Sequence, residues 1–313
     1  MMTYYRTDDQ VIHEEEKLSD GVWVQMINPT HDECEEIAEK LMVDIDDVKA
    51  ALDVEESSRI ELQDGYTLIL VDIPSIEERN GKDWFVTIPM AIITTKDVLI
   101  TVCLEETPIL TAFMDGRVRD FHTFMKTRFI LQILYKNATQ YLQYLRIIDK
   151  KSEVIENKLH QSQKNEELIE LLELQKSLVY FTTSLRSNEV VLEKLLRIDK
   201  IKKYPEDTDL LEDVIVENKQ AMEMTSIYNG ILSGTMDTFA SVISNNLNIV
   251  MKFLATVTIV MSIPTMVASF YGMNVRASGM PFAEHPYGFG IVLFFTLVLT
   301  LIVAYIFNKK DLF

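Results

Sequence analysis

Two runs without a charged side chain, Phe253–Val275 and Gly288–Phe307, stand near the end of this 313-residue chain, separated only by residues 276–287. Each supplies the roughly 20 apolar positions that a helix needs to cross the hydrocarbon of a bilayer. A soluble domain would have to bury both runs back to back, so the chain is expected to cross a membrane twice. Two crossings return the C-terminus to its starting side. Lys252 precedes the first run and Lys309 and Lys310 follow the second, while the connecting segment holds only Arg276. Basic residues favour the cytoplasmic side. Both termini are therefore expected in the cytoplasm, and the protein is expected to be a multi-pass component of the cell membrane.

The chain before residue 252 is charged and acidic. The whole sequence has 48 acidic against 30 basic residues, a net charge of −18. That balance argues against a nucleic-acid partner and leaves cations as the attracted species. Met1–Asp20 is polar and lacks the basic and then apolar regions of a secretory signal. Cys34 and Cys103 are the only cysteines, so neither a disulfide framework nor a cysteine zinc site is expected. His13, His31, His122, His160 and His285 show no paired metal spacing. Asn137-Ala138-Thr139 fits a glycosylation acceptor but lies on a predicted cytoplasmic helix. No catalytic set and no phosphate-binding or dinucleotide motif is visible, so neither an enzyme nor an ATP-driven pump is expected.

Strand and helix signals mix over the first 121 residues, giving an α/β domain. Val22–Ile27 reads as a short strand, and Thr30 with Glu33 has the spacing of a helix capping box. Tyr66–Ile73, Trp84–Thr94 and Val98–Cys103 are rich in β-branched and aromatic residues, with turns at Asn80-Gly81 and Thr95–Asp97. From His122 no proline occurs before Pro205 and no glycine between Gly116 and Gly230. Helices are predicted over 122–161, 165–199 and 207–271, with breaks at Gln161–Asn165 and Lys200–Pro205. At 1.5 Å per residue the last would be on the order of 95 Å long and must leave the globular body.

Steps of three or four from Asp237 meet Ser241, Ser244, Asn248, Met251, Ala255, Thr258, Ser262, Thr265 and Ser269. All but Met251 are small or polar, while Phe253, Leu254, Val257 and Val260 occupy other faces. Such a stripe is either a helix-packing contact or the wall of a wet path. Two spans cannot enclose a pore, so the second reading needs a ring of copies with this helix innermost.

Directly after the first span stand Tyr271-Gly272-Met273-Asn274. With the long helix before them, the short loop and second span after them, and the basic tail, these residues resemble the Gly-Met-Asn signature of the CorA magnesium transporter family. Tyr204–Asp213 also resembles the start of that family's stalk helix. The resemblance implies a funnel-shaped homopentameric channel. Its parts would be a cytoplasmic α/β domain (1–121), acidic helices (122–205), a stalk (206–252), a pore-lining span (253–271), an external loop (272–287), a second span (288–307) and a basic cytoplasmic tail (308–313).

The resemblance further implies Mg²⁺, and also Co²⁺, uptake driven by the membrane potential and gated by intracellular Mg²⁺. Gly272, Met273 and Asn274 would form the selectivity filter, and Asn274 could alternatively be a helix C-cap. Asn248 would form a polar ring, Met251 and Leu254 a hydrophobic gate, and Asp237 an acidic ring, with Thr258, Ser262 and Thr265 lining the path. Asp213, with Glu212 as alternate, would bind regulatory Mg²⁺. Two departures stand out. Ser262 falls where many relatives carry a bulky apolar residue, and Met280-Pro281-Phe282-Ala283-Glu284 stands in place of the Met-Pro-Glu-Leu that often follows the signature. A zinc or cobalt carrier of the same fold and a non-transporting membrane receptor are the competing readings.

Overall fold

The computed structural model describes residues 1–8, 11–79, 81–162, 165–198, 205–276 and 279–310. The chain divides into two compact units, Met1–Met236 and Asp237–Phe313.

The first unit is built on a seven-stranded sheet: β1 (Met2–Asp8), β2 (Val11–Glu15), β3 (Trp23–Ile27), β4 (Arg59–Leu62), β5 (Tyr66–Arg79), β6 (Lys82–Thr95) and β7 (Leu99–Cys103). The strand order is β2-β1-β3-β7-β6-β5-β4. Only β3 and β7 pair in parallel; the other neighbours are antiparallel. The residues of β5 and β6 alternate between two cores, as the period of a strand requires. Ile69, Val71, Met90 and Ile92 join Phe113, Phe129 and Leu192 on one face. Leu68, Leu70, Ala91 and Ile93 join Cys34, Ile37 and Val48 on the other.

The second of these faces is covered by α1 (His31–Leu41) and α2 (Ile45–Lys49). Thr30 and Glu33 form the expected capping box, each side chain bonded to the other's backbone N–H. The first face is covered by α3 (Pro108–Met114), α4 (Lys126–Ser162), α5 (Asn165–Arg197) and the start of α6 (Pro205–Tyr271). Trp23 sits there, fully buried and edge-on to Phe129 at 5.1 Å, and its indole N–H donates to Thr101 Oγ1 at 2.9 Å.

The three long helices follow the predicted pattern with two corrections. α4 starts at Lys126 rather than 122, because Thr123 is bound elsewhere. Its N–H donates to Thr7 Oγ1 at 2.9 Å, and the Thr7 N–H donates to Thr123 Oγ1 at 3.2 Å, pinning this stretch to β1. α6 starts at Pro205 rather than 207, proline being suited to a first helical position whose N–H has no partner. The turn residue Asn80, the break at Lys200–Tyr204, part of the Gln161–Asn165 break and the tail residues 311–313 lie outside the described residues.

α4 and α6 run parallel with a constant offset. Arg128 Nε donates to Asp207 at 3.0 Å, and Thr235 Oγ1 lies 3.4 Å from Glu156 Oε1, each pair 79 positions apart. Tyr228 bonds to Asp149 at the same offset, and burial, then that carboxylate, raises its pKa. Contacts spaced by multiples of seven are those of a coiled seam.

At the open edge of β5 a side chain takes the place of a strand. β4 pairs with β5 only as far as Arg59 opposite Leu70. Beyond it, the Asp72 N–H donates to Asn188 Oδ1 at 2.9 Å and Asn188 Nδ2 donates to the Asp72 carbonyl at 2.8 Å. Asn137 Nδ2 and the Tyr141 hydroxyl donate to the same carbonyl at 2.9 and 3.2 Å. This explains three buried polar residues on α4 and α5 that helical periodicity alone would assign to the core.

Candidate functional site

The second unit contains the end of α6 and α7 (Gly288–Lys309). Both helices are long and apolar enough to cross a membrane, and almost none of either apolar stretch is buried within the chain. The core helix of a soluble domain would be covered by protein, so these surfaces need lipid or other helices around them.

α7 lies along one side of α6. A groove of about 250 Å³ near the loop is lined by Val267 and Tyr271 from α6 and by Val292, Phe295, Thr296 and Leu299 from α7. With about 100° per residue, Thr258, Thr265 and Ser269 lie roughly 160–180° around α6 from Val267. They are exposed, as are Met251 and Leu254 at 58% and 53%; Ser262 is half-buried. The polar stripe is thus turned away from α7 and left uncovered by the chain's own second span.

The hydroxyls on that stripe are oriented by their own helix. Thr258 donates to the Leu254 carbonyl at 2.7 Å, Ser262 to Ile259 at 2.7 Å, and Thr265 to Met261 at 3.2 Å. With the proton held inward, the outward lone pairs act as acceptors. Farther down, Ser241 donates to the Asp237 carbonyl at 3.0 Å, and Asp237, Ser244 and Asn248 are exposed.

Pro264, which the stripe does not use, interrupts the hydrogen-bond ladder inside the span. A proline has no N–H for the carbonyl four residues before it, here Val260. α6 ends at Tyr271, where the Gly272 N–H donates to the Ala268 carbonyl at 2.9 Å. Asn274 stands three residues beyond and is exposed, with no left-handed backbone, so the capping alternative for it is not realised. The Val275 N–H turns back to the Met273 carbonyl at 2.9 Å.

Glu212 and Asp213 lie exposed on α6 within the first unit. Among the described residues no three His, Cys, Asp or Glu side chains gather in a way that could hold a metal. Asp213 does act on Tyr135 of α4, whose pKa is raised by burial first, then by Glu217 and Asp213.

Comparison with known proteins adds four findings. A sequence model of a family described as CorA-like Mg²⁺ transporter protein matches residues 19–310. The cobalt/magnesium transport protein CorA of Methanocaldococcus jannaschii is 27% identical over 311 residues, covering 96% of this chain and 93% of that one. The complete structure of the CorA magnesium transporter from the same organism superposes with a TM-score of 0.86 at 25% identity, over 99% of this chain and 98% of that one. The full-length CmaX protein shares the fold at 11% identity, with a TM-score of 0.70 over 97% of each chain.

Proposed function

The chain belongs to the CorA-like Mg²⁺ transporter family, a family of transporters and not of enzymes, and from that premise we propose that it conducts divalent cations, Mg²⁺ and also Co²⁺, inward through a homopentamer. The observation that carries the reading is the orientation of the polar stripe. It faces away from α7, so that copies arranged around an axis would turn it inward and α7 outward to lipid.

Mg²⁺ releases its water reluctantly, and neutral oxygens can hydrogen-bond the ion's own hydration shell. Asn274, repeated around a ring with Gly272 and Met273, supplies such oxygens without a fixed charge that would hold the ion too long. The outward lone pairs of Thr258, Ser262 and Thr265 continue the acceptor surface, with Asn248 and Asp237 toward the cytoplasm. Met251 and Leu254 form the neck that closes by dewetting. The membrane potential supplies roughly 2.3 kcal/mol per charge per 100 mV, doubled for a divalent ion.

Bound Mg²⁺ at Asp213, with Glu212 as alternate, would hold neighbouring copies in the closed ring. The test is Mg²⁺ flux into liposomes holding the purified full chain, repeated with Co²⁺ and Zn²⁺. Entry of Mg²⁺ that Asn274→Ala abolishes supports the reading. Zn²⁺ flux alone moves the protein to zinc transport, and no flux of any ion leaves a receptor.

A further inference from the structure

The loop between the spans is closed at two points that do not involve the Gly-Met-Asn residues themselves. Tyr271, the last residue of α6, donates its hydroxyl to the Pro281 carbonyl at 2.6 Å, across ten positions. Phe282 then takes a left-handed backbone, φ 62°, which a bulky side chain rarely adopts. That turn directs the Phe282 carbonyl onto the start of α7. There it accepts the His285 N–H at 3.1 Å, and the Gly288 N–H donates to the His285 carbonyl at 2.8 Å.

Gly288 is buried, and a Cβ added to it would lie 2.0 Å from the Phe282 carbonyl oxygen. Real Cβ contacts essentially never fall below 3.0 Å. The obstructing atom belongs to the backbone, so no side-chain rotation can relieve it. Gly290, two residues farther along the same apolar helix, has nothing within 4 Å of its Cβ position. The requirement for glycine is therefore local to the point where the loop meets α7.

We propose that Tyr271 and Gly288 are positioning residues for the signature loop: the hydroxyl tie to Pro281 and the clearance for the Phe282 carbonyl hold Gly272–Asn274 at a set place between the two spans. The proposal rests on the reading of Asn274 as a selectivity residue. A ring of neutral oxygens selects a hydrated ion by distance, and an unheld loop blurs that distance. Loss of the latch then weakens ion capture and discrimination more than it slows the maximal flux.

The experiment compares full-length wild type, Gly288→Ala, Tyr271→Phe, Gly290→Ala and Asn274→Ala in liposomes. It records Mg²⁺ and Co²⁺ flux against concentration, and amide hydrogen exchange over residues 270–290. Gly288→Ala is expected to speed exchange of the loop amides about tenfold, as for loss of a local closure. It should raise the KM for Mg²⁺ about fivefold or more with maximal flux changed less than about twofold. Tyr271→Phe should move both readouts the same way but less, and Gly290→Ala should match wild type.

Exchange and KM unchanged in both Gly288→Ala and Tyr271→Phe would overturn the proposal, as would equal effects from Gly290→Ala. Should Gly288→Ala fail to assemble, Tyr271→Phe decides alone. A wild-type response from Asn274→Ala would refute the filter reading and, with it, the role of the latch in selection. The exchange data would still show separately whether the loop is held.

Discussion

Replacing Asn188 with alanine removes three hydrogen bonds at one stroke: from the Asp72 N–H at 2.9 Å, from the Ser58 hydroxyl at 3.1 Å, and to the Asp72 carbonyl at 2.8 Å. The groups left behind fare differently. The Asp72 carbonyl keeps Asn137 and Tyr141 as donors, and Ser58 Oγ stays 3.2 Å from the Asp72 N–H, a longer contact than the one lost. The damage is therefore an incompletely satisfied backbone donor plus the net worth of the lost bonds, about 2–3 kcal/mol. At about 2–4 °C per kcal/mol for a unit of this size, the apparent Tm should fall by about 4–12 °C. Asn137→Ala is the internal control, because it removes only one of three donors to that carbonyl and its own Oδ1 has no partner. Its shift should be less than half as large. The assay is thermal unfolding of the full chain in detergent, followed by the fluorescence of the buried Trp23, with exchange of the Asp72 amide as a local readout. An Asn137→Ala shift as large as that of Asn188→Ala would refute the idea that α5 substitutes for a strand at this edge.

Asp72 itself offers a pH test. Burial raises its pKa, against bonds from Ser184 and Ser58 that lower it. A carboxyl whose folded pKa lies above its unfolded value binds more protons when folded, so its contribution to stability falls as pH rises through that window. Asp72→Asn should therefore raise the apparent Tm at pH 7 and give no gain well below the ordinary carboxylate range; a gain independent of pH would contradict this. Arg128→Ala leaves the 3% exposed Asp207 without its guanidinium, and a loss of about 3 kcal/mol is expected, measured as a fall in apparent Tm that Asp207→Asn in the same chain partly restores. Leu254→Ser should raise Mg²⁺ leak through liposomes at high internal Mg²⁺, because a wetted neck no longer closes the path; unchanged leak would place the gate elsewhere.

Much of this protein was legible in the sequence where one residue's neighbours along the chain carry the information. The two charge-free runs declare membrane spans whatever surrounds them, and α4, α5 and α6 occupy nearly the predicted ranges because α4 and α5 hold neither proline nor glycine and α6 continues through Pro264. Thr30 and Glu33 announced a helix start for the same reason, the box being closed within four residues. The N-terminal hairpin β1–β2 was not legible: its charged residues suit an edge strand, whose pattern of apolar positions is sparse.

What depended on the tertiary structure involves partners distant in sequence. The role of Asn188 needs the end of β4 beside β5, 116 positions away from its own helix. The delayed start of α4 needs Thr7, also 116 positions from Thr123. The stripe on α6 could be read as period and polarity, but only the placement of α7 on the opposite side shows which face stays open. Gly288 reads as an ordinary small residue in an apolar helix until the Phe282 carbonyl is seen against it. Local propensity and hydropathy act over a few residues and survive in the linear text. Steric clearance and hydrogen-bond satisfaction depend on which distant atoms arrive, and those are decided by the fold.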